Sequence, residues 1–273
     1  MDLTKSNYIV TVIEMNKKIS SQTHINKELV AKFRLLIKEF NINLSMSDEL
    51  LMCFINARKN DLSRAVKLLN NYLRMTKNYP QFYTDMRPAR VKNVLDMGIF
   101  LSSPYREKNG SRILILNLRK WDLRSCSLED IMSAVVFCFQ RMVSETETQT
   151  NGIVAIIDVK DFALQHLRQF TPPLIKVIAE TVQNVFPIRL KGIHVLHEPR
   201  IVKILLTLFW PFLSNKIRNR LFFHGDSYAT MHQHIDPACL PSSYNGCLKN
   251  METMHFSNVF FEENYSKIFD CFN

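Results

Sequence analysis

Glycine is scarce in this chain of 273 residues. Gly98, Gly110, Gly152, Gly192, Gly225 and Gly246 are all there is, and none falls into a GxGxxG or GxxxxGK[ST] spacing. Loops that cradle a phosphate need such glycines to let the backbone approach it, so their lack speaks against dinucleotide or ATP binding. A GxSxG elbow is missing as well, which argues against an α/β-hydrolase. Neither a cofactor nor an enzymatic activity is expected. Cysteine pairs are lacking too: Cys53, Cys126, Cys138, Cys239, Cys247 and Cys271 form no CxxC, and the cluster His224, His232, His234 and Cys239 matches no standard zinc spacing. These read as reduced, mostly buried thiols and as surface or hydrogen-bonded histidines. Long hydrophobic runs are also missing. The densest, Ile201 to Leu213, is broken by Lys203 and Pro211 and falls short of the roughly 20 residues that cross a bilayer as a helix. The first residues, MDLTKSNYIVTVIEMNKK, carry an early acid and no small-residue cleavage site, so they do not read as a secretory signal, and a cytoplasmic protein is expected.

What is present is a chain with 47% hydrophobic residues, enough to bury a core without disulfide staples. Its first ninety or so residues read as helices. Leu62, Ala65, Val66, Leu69, Tyr72 and Leu73 recur at helical spacing, and Ser47 is a good N-cap for the SDELLMCFINARK stretch. From Ser111 onward short β-rich runs alternate with helical ones. RILILNL from Arg112, GIVAIID from Gly152, KGIHVL from Lys191 and RLFFH from Arg220 are apolar on both faces, as in a sheet covered on both sides. Ser127 to Asp130 forms a capping-box variant, and Thr171 precedes two prolines suited to a first helical turn. The expectation is an α/β fold: a helical domain over residues 1–92, a sheet domain with flanking helices over 93–248, and a tail over 249–273.

Charge is unevenly spread around a net of +10. Between Phe186 and His224 stand seven Lys or Arg against the single Glu198, whereas the tail after Asn250 is acidic. A local basic patch calls for an anionic partner, nucleic acid or an acidic membrane surface. Placed on a helix, Arg200 to Ser214 shows a narrow polar stripe of Arg200, Lys203, Thr207 and Ser214 in an otherwise apolar surface. Three things can cover such a helix: the protein interior, a bilayer, or a hydrophobic ligand. Apolar surface flanked by Lys216, Arg218 and Arg220 suits docking on an anionic membrane, at about 1 kcal/mol per cation near the surface. Nucleic acid would use the cations but leave the apolar run unexplained, so no nucleic-acid partner is expected.

Six ordered motifs then give the chain a relationship. LLMCFINARKNDLSRAVKLLNNYLRM, GSRILILNLRKWD, ETETQTNGIVAIIDVKDF, FPIRLKGIHVLHEP, PFLSNKIRNRLFFHG and LPSSYNG follow the order and spacing of the CRAL-TRIO lipid-binding family. The likeness runs from about Ser47 to Gly246 and is nearest the branch that transfers tocopherol and binds retinaldehyde. It implies an α/β domain of the CRAL-TRIO type enclosing a hydrophobic cavity, behind a small N-terminal helical domain.

By that resemblance the segment after HEP is a mobile lid, with Ile201, Ile204, Leu205, Leu208, Phe209 and Phe212 its apolar residues. Cavity positions map onto Met132, Val135 and Phe139, onto Ile153, Ile157 and Ile193, and onto Phe170, Ile178, Thr181, Val182 and Phe186. Val135 and Phe139 stand where the tocopherol branch has serine hydroxyls, and Thr181 puts a hydroxyl where that branch is apolar. Basic residues that match a phosphoinositide headgroup site are Arg58, Arg189, Lys191, Lys216 and Arg220. The resemblance thus implies a monomeric, reversibly membrane-associated carrier of one hydrophobic small molecule, such as a tocopherol, retinoid, carotenoid or other isoprenoid, released at phosphoinositide-containing membranes. The alternative is a phospholipid-sensing module that recruits a protein partner.

Overall fold

The computed structural model describes residues 25–40, 46–84 and 87–248. The expectations for the first residues and for the tail after Leu248 lie outside them. Among the described residues, four helices of more than one turn precede the sheet: α1 (Lys27–Glu39), α2 (Asp48–Ala57), α3 (Leu62–Asn78) and α4 (Pro88–Asp96). Local chemistry sets their starts. The side chains of Asn26, Ser47 and Asp61 accept the amides of Leu29, Leu50 and Arg64, relieving donors that a helix N-terminus leaves unpaired. One face of α3 is then sealed through Ala65, Val66, Leu69 and Tyr72.

The sheet has five strands in sequential order: β1 (Phe100–Arg106), β2 (Arg112–Asn117), β3 (Ile153–Asp158), β4 (Leu190–Leu196) and β5 (Leu221–Phe223). β1 runs antiparallel to β2, and the other pairs are parallel. Between the strands lie α5 (Leu128–Val143), α6 (Pro172–Asn184) and α7 (Ile201–Phe209). The Ser127–Asp130 capping box opens α5, whereas Thr171 precedes Pro172 without a side-chain bond to the helix. β1 escapes a sequence reading because its run FLSSPYR carries two serines and Pro104, which a strand tolerates only at an edge or a bulge.

Side-chain alternation divides the sheet. Ile113, Ile115, Val154, Ile156 and Leu196 join Met231, Ile235, Leu240 and Tyr244 on one face, sealed by the C-terminal turns. Leu114, Ile153, Leu190, Ile193 and Val195 join the helices on the other. A register shift between β3 and β4 falls at Lys191, which is exposed. Cys53, Cys126, Cys138 and Cys239 are buried free thiols, and burial, with the Glu49 carboxylate, pushes Cys53 up to about 12.

One end of the sheet is tied by a buried ionic knot. Glu145 accepts Arg112 Nε at 2.8 Å, Arg112 Nη2, Arg106 Nη2 at 3.0 Å and the Thr148 hydroxyl at 2.5 Å. Burial alone would raise the Glu145 carboxyl, but Arg112 and Arg106 outweigh it and hold the carboxyl below its usual range. Glu145→Ala takes the buried carboxylate away from Arg112 and Arg106, the latter keeping its pair with Glu147, so urea denaturation is expected to show a loss of about 3 kcal/mol. Because the folded carboxyl titrates lower than the unfolded one, the knot's contribution is present above pH 4.5 and fades as the pH falls below it.

Candidate functional site

On the helix-covered face of the sheet a set of apolar side chains stops short of full burial. Ala155 and Ile157 of β3, Leu221 of β5, Val135 of α5, Ile178 and Val182 of α6, and Ile201 and Leu205 of α7 are only partly buried, yet all pack against the main core. Such a set of apolar side chains from facing elements is a candidate lining for an apolar guest. Of the cavity positions expected from sequence, Val135, Ile157, Phe170, Ile178 and Val182 belong to this half-covered set. Met132, Ile153 and Ile193 are buried beside it.

Phe139, Thr181 and Phe186 turn toward the N-terminal helices instead. Phe186 stacks with Tyr83 at 6.0 Å and meets Tyr72 and Phe139 edge-on at 5.7 and 5.5 Å. The Thr181 hydroxyl donates to Val177 O at 2.7 Å and lies 2.6 Å from the Tyr83 hydroxyl. Gln140 Nε2 donates to the Tyr72 hydroxyl at 3.1 Å. Thr181 therefore spends its hydroxyl on the seam between the helical region and the sheet domain, a use that the sequence does not show.

The segment expected to be a lid is α7 followed by a 3₁₀ turn, Trp210–Phe212, where Pro211 ends the regular helix. Its six expected residues separate onto two sides. Ile201, Leu205 and Phe209 are half-buried, and Phe209 meets Phe170 edge-on at 6.0 Å. Ile204, Leu208 and Phe212 are 53%, 42% and 40% exposed, joined by Trp210 at 47%. Only Val202 of α7 is fully covered. The root of the lid is fastened firmly: His197, with φ 55°, places Nδ1 2.8 Å from Asp158 Oδ1 and donates its amide to Gly225 O, and Gly225 N–H donates to both Glu198 carboxylate oxygens. Its tip is held by Gln183, which donates to Phe212 O at 2.8 Å and accepts Ser214 N–H at 2.6 Å.

Beside the lid the five expected cations gather, and two more join them. Burial is the first cause lowering Lys216, followed by the charges of Arg220, Arg58, Arg64 and Lys59. Lys191 is lowered by burial and then by Arg189, Arg220 and Lys59. Arg58 is lowered by burial and Arg64, and Arg189 by burial. Lys59 and Arg64 come from the turn between α2 and α3 and the start of α3, where Lys59 and Asn60 both have positive φ, 54° and 66°. Arg189 donates to Gln149 O at 2.9 Å and Arg220 to Leu190 O, while Arg189 Nε is buried without a partner. Among the described residues, no carboxylate forms an ion pair with any of the seven. Lys59 was legible as the neighbour of Arg58; Arg64 becomes a member only through the fold.

The histidines take separate partners. His224 Nε2 lies 2.9 Å from His194 Nδ1, with the rings stacked 5.2 Å apart, and His224 Nδ1 faces the Thr230 hydroxyl at 3.0 Å. His232 Nε2 reaches Tyr244 O, His234 packs on Phe222, and Cys239 Sγ reaches Arg106 O. Among the described residues, no group of three or more His, Cys, Asp or Glu is arranged to hold a metal, and no helix is long and apolar enough to cross a membrane.

Comparison with known proteins places this geometry. The CRAL/TRIO domain pattern matches residues 96–246. The chain is 32% identical over 230 residues to the alpha-tocopherol transfer protein-like protein of Mus musculus, covering 84% of this chain and 67% of that one. It is 31% identical over 229 residues to clavesin-1 of Rattus norvegicus, covering 82% and 64%. The chain thus spans about two thirds of the length of these relatives. Among solved structures, that of Sfh5 covers 97% of this chain and 96% of its own, with a TM-score of 0.56 and 13% identity, an agreement of fold.

The His194–His224 pair generates a pH dependence. Burial first, then His224 and His234, lowers His194 from 6.5 to about 4. Below pH 6.5 the unfolded chain binds more protons than the fold, so stability falls as the pH drops toward 4. Thermal melts across this range are expected to show a loss of up to about 3 kcal/mol, and His194→Gln is expected to flatten that acid slope.

Proposed function

The chain belongs to the CRAL/TRIO family, and from that premise we propose that it carries one hydrophobic small molecule beneath the Ile201–Phe212 lid and releases it at phosphoinositide-bearing membranes. The half-covered apolar set is the chamber, built from Val135, Ile157, Phe170, Ile178 and Val182 and closed by Ile201, Leu205 and Phe209. Enclosing roughly 400 Å² of apolar ligand at about 25 cal/mol per Å² contributes on the order of 10 kcal/mol before association costs. A ligand so held does not leave into water, and a membrane must open the way. The relative named for tocopherol transfer supports an isoprenoid guest of that kind. With Val135 and Phe139 apolar and the Thr181 hydroxyl engaged by Tyr83 and Val177, the chamber favours a guest whose buried end is hydrocarbon.

One juxtaposition carries this reading: an outward apolar lid face beside seven cations that have no carboxylate partner among the described residues. Crowded like charges of this sort are relieved by an anion, and a polyphosphorylated headgroup offers several charges at once. The chemistry is binding and release, with no bond made or broken in the guest, and a monomer suffices for it.

Two measurements test the proposal. Organic extraction and mass spectrometry of the purified chain are expected to yield an isoprenoid; a retained phospholipid would favour a lipid-sensing module instead. In vesicle sedimentation, phosphatidylcholine containing phosphatidylinositol bisphosphate is expected to bind the chain and phosphatidylcholine alone to bind it weakly. Replacing the exposed Lys191 and Lys216 together by Ala should weaken that binding about 30-fold and spare guest uptake. Equal binding to both vesicles would refute membrane delivery by this patch.

A further inference from the structure

Arg218 lies between Lys216 and Arg220 in the chain, but its guanidinium is turned to the lid. Nη2 donates to the carbonyl of Trp210 at 2.7 Å, and the guanidinium carbon lies 4.7 Å from the centre of the Trp210 ring. Arg218 Nε is buried and has no partner. Trp210 is itself one of the outward apolar residues of the lid tip. The contact thus joins a fork of donors with a vacancy to the residue that a bilayer interface would draw away, since indole rings favour the headgroup region.

We propose that Arg218 is a positioning residue that holds the lid tip closed in water and lets it go at a bilayer, exchanging the Trp210 carbonyl and ring for an anionic lipid phosphate. A phosphate accepts two parallel N–H bonds from one guanidinium and can therefore fill Nε along with a terminal nitrogen. The peptide carbonyl takes only one of those donors. Gln183, the other tie on the tip, bonds Phe212 O and Ser214 N through an uncharged amide and offers a phosphate no comparable pairing. The two ties therefore differ in kind: one resists opening whatever the surroundings, the other yields to one type of surface. The proposal rests on the membrane-delivery reading above.

Hydrogen exchange of the lid amides in the full chain tests it, in buffer and with phosphatidylcholine vesicles containing or lacking phosphatidylinositol bisphosphate. In the wild-type protein the anionic vesicles are expected to speed exchange over residues 201–213, and the neutral ones to do so far less. Arg218→Ala is expected to speed exchange in buffer by roughly five- to thirtyfold and to abolish the further response to anionic vesicles. Gln183→Ala should also speed exchange in buffer but keep that response, which separates a trigger from a plain structural tie. Wild-type exchange in buffer for Arg218→Ala would overturn the proposal, as would a vesicle response equal to that of Gln183→Ala. Should the wild-type protein fail to sediment with anionic vesicles, the delivery reading and the release half of the proposal fall together. The exchange of Arg218→Ala in buffer would still decide whether this residue holds the lid.

Discussion

Along β3, Val154 and Ile156 are sealed beneath the C-terminal turns, whereas Ala155 and Ile157, each one residue away, stay partly uncovered beneath the helices. Strand geometry sends neighbours to opposite faces, so one short run of apolar residues serves two surfaces that are filled to different degrees. A tightly packed face gives the sheet a rigid back. The less fully covered face is where the proposed guest would gain most, because side chains already desolvated in part lose little by being covered. Every other feature of the domain can be ordered around that inequality: helices that frame the open face, a lid across it, and a closed aromatic seam behind it.

The fastenings of the molecule are graded accordingly. At the end where β2 and β3 begin, the buried Glu145 binds two guanidiniums and a hydroxyl, and nothing there can move without exposing charge to an apolar interior. The root of the lid is tied by an Asp158–His197 contact and by a glycine amide on a carboxylate. Among the described residues, the side-chain hydrogen bonds at its tip come from a neutral amide and from a guanidinium near the surface. On the proposed function, opening would be directed to one end of one short helix, which is what local opening requires if the rest of the fold is to persist.

Much of this was legible in the sequence. The four parallel strands announced themselves as apolar runs, since a strand covered on both sides needs no polar alternation, and the Ser47 cap and the Ser127 capping box lie where the side-chain chemistry puts them. The edge strand β1 did not, because Ser102, Ser103 and Pro104 spell a loop unless a neighbour supplies the pairing. Thr181 reads as a cavity hydroxyl until Tyr83, almost a hundred residues earlier in the chain, is brought within 2.6 Å. Arg64 likewise enters the cationic cluster by packing, with no local signal. The narrow polar stripe of Arg200 to Ser214 called for cover over most of the helix without saying by what; which apolar residues face Phe170 and which face solvent follows from where the neighbouring elements stand, and periodicity carries no information about that.

The brevity of β5 has a bearing on how the chain keeps to itself. It pairs with β4 through Leu221, Phe222 and Phe223 alone. The rim of the sheet therefore offers an incoming strand few free amides and carbonyls in a row, and Phe223, though solvent-facing, lacks the flanking length that would let a foreign chain zip onto it. A domain that shows water a greasy helix thus presents, on the β5 side of its sheet, an edge too short to template a foreign strand.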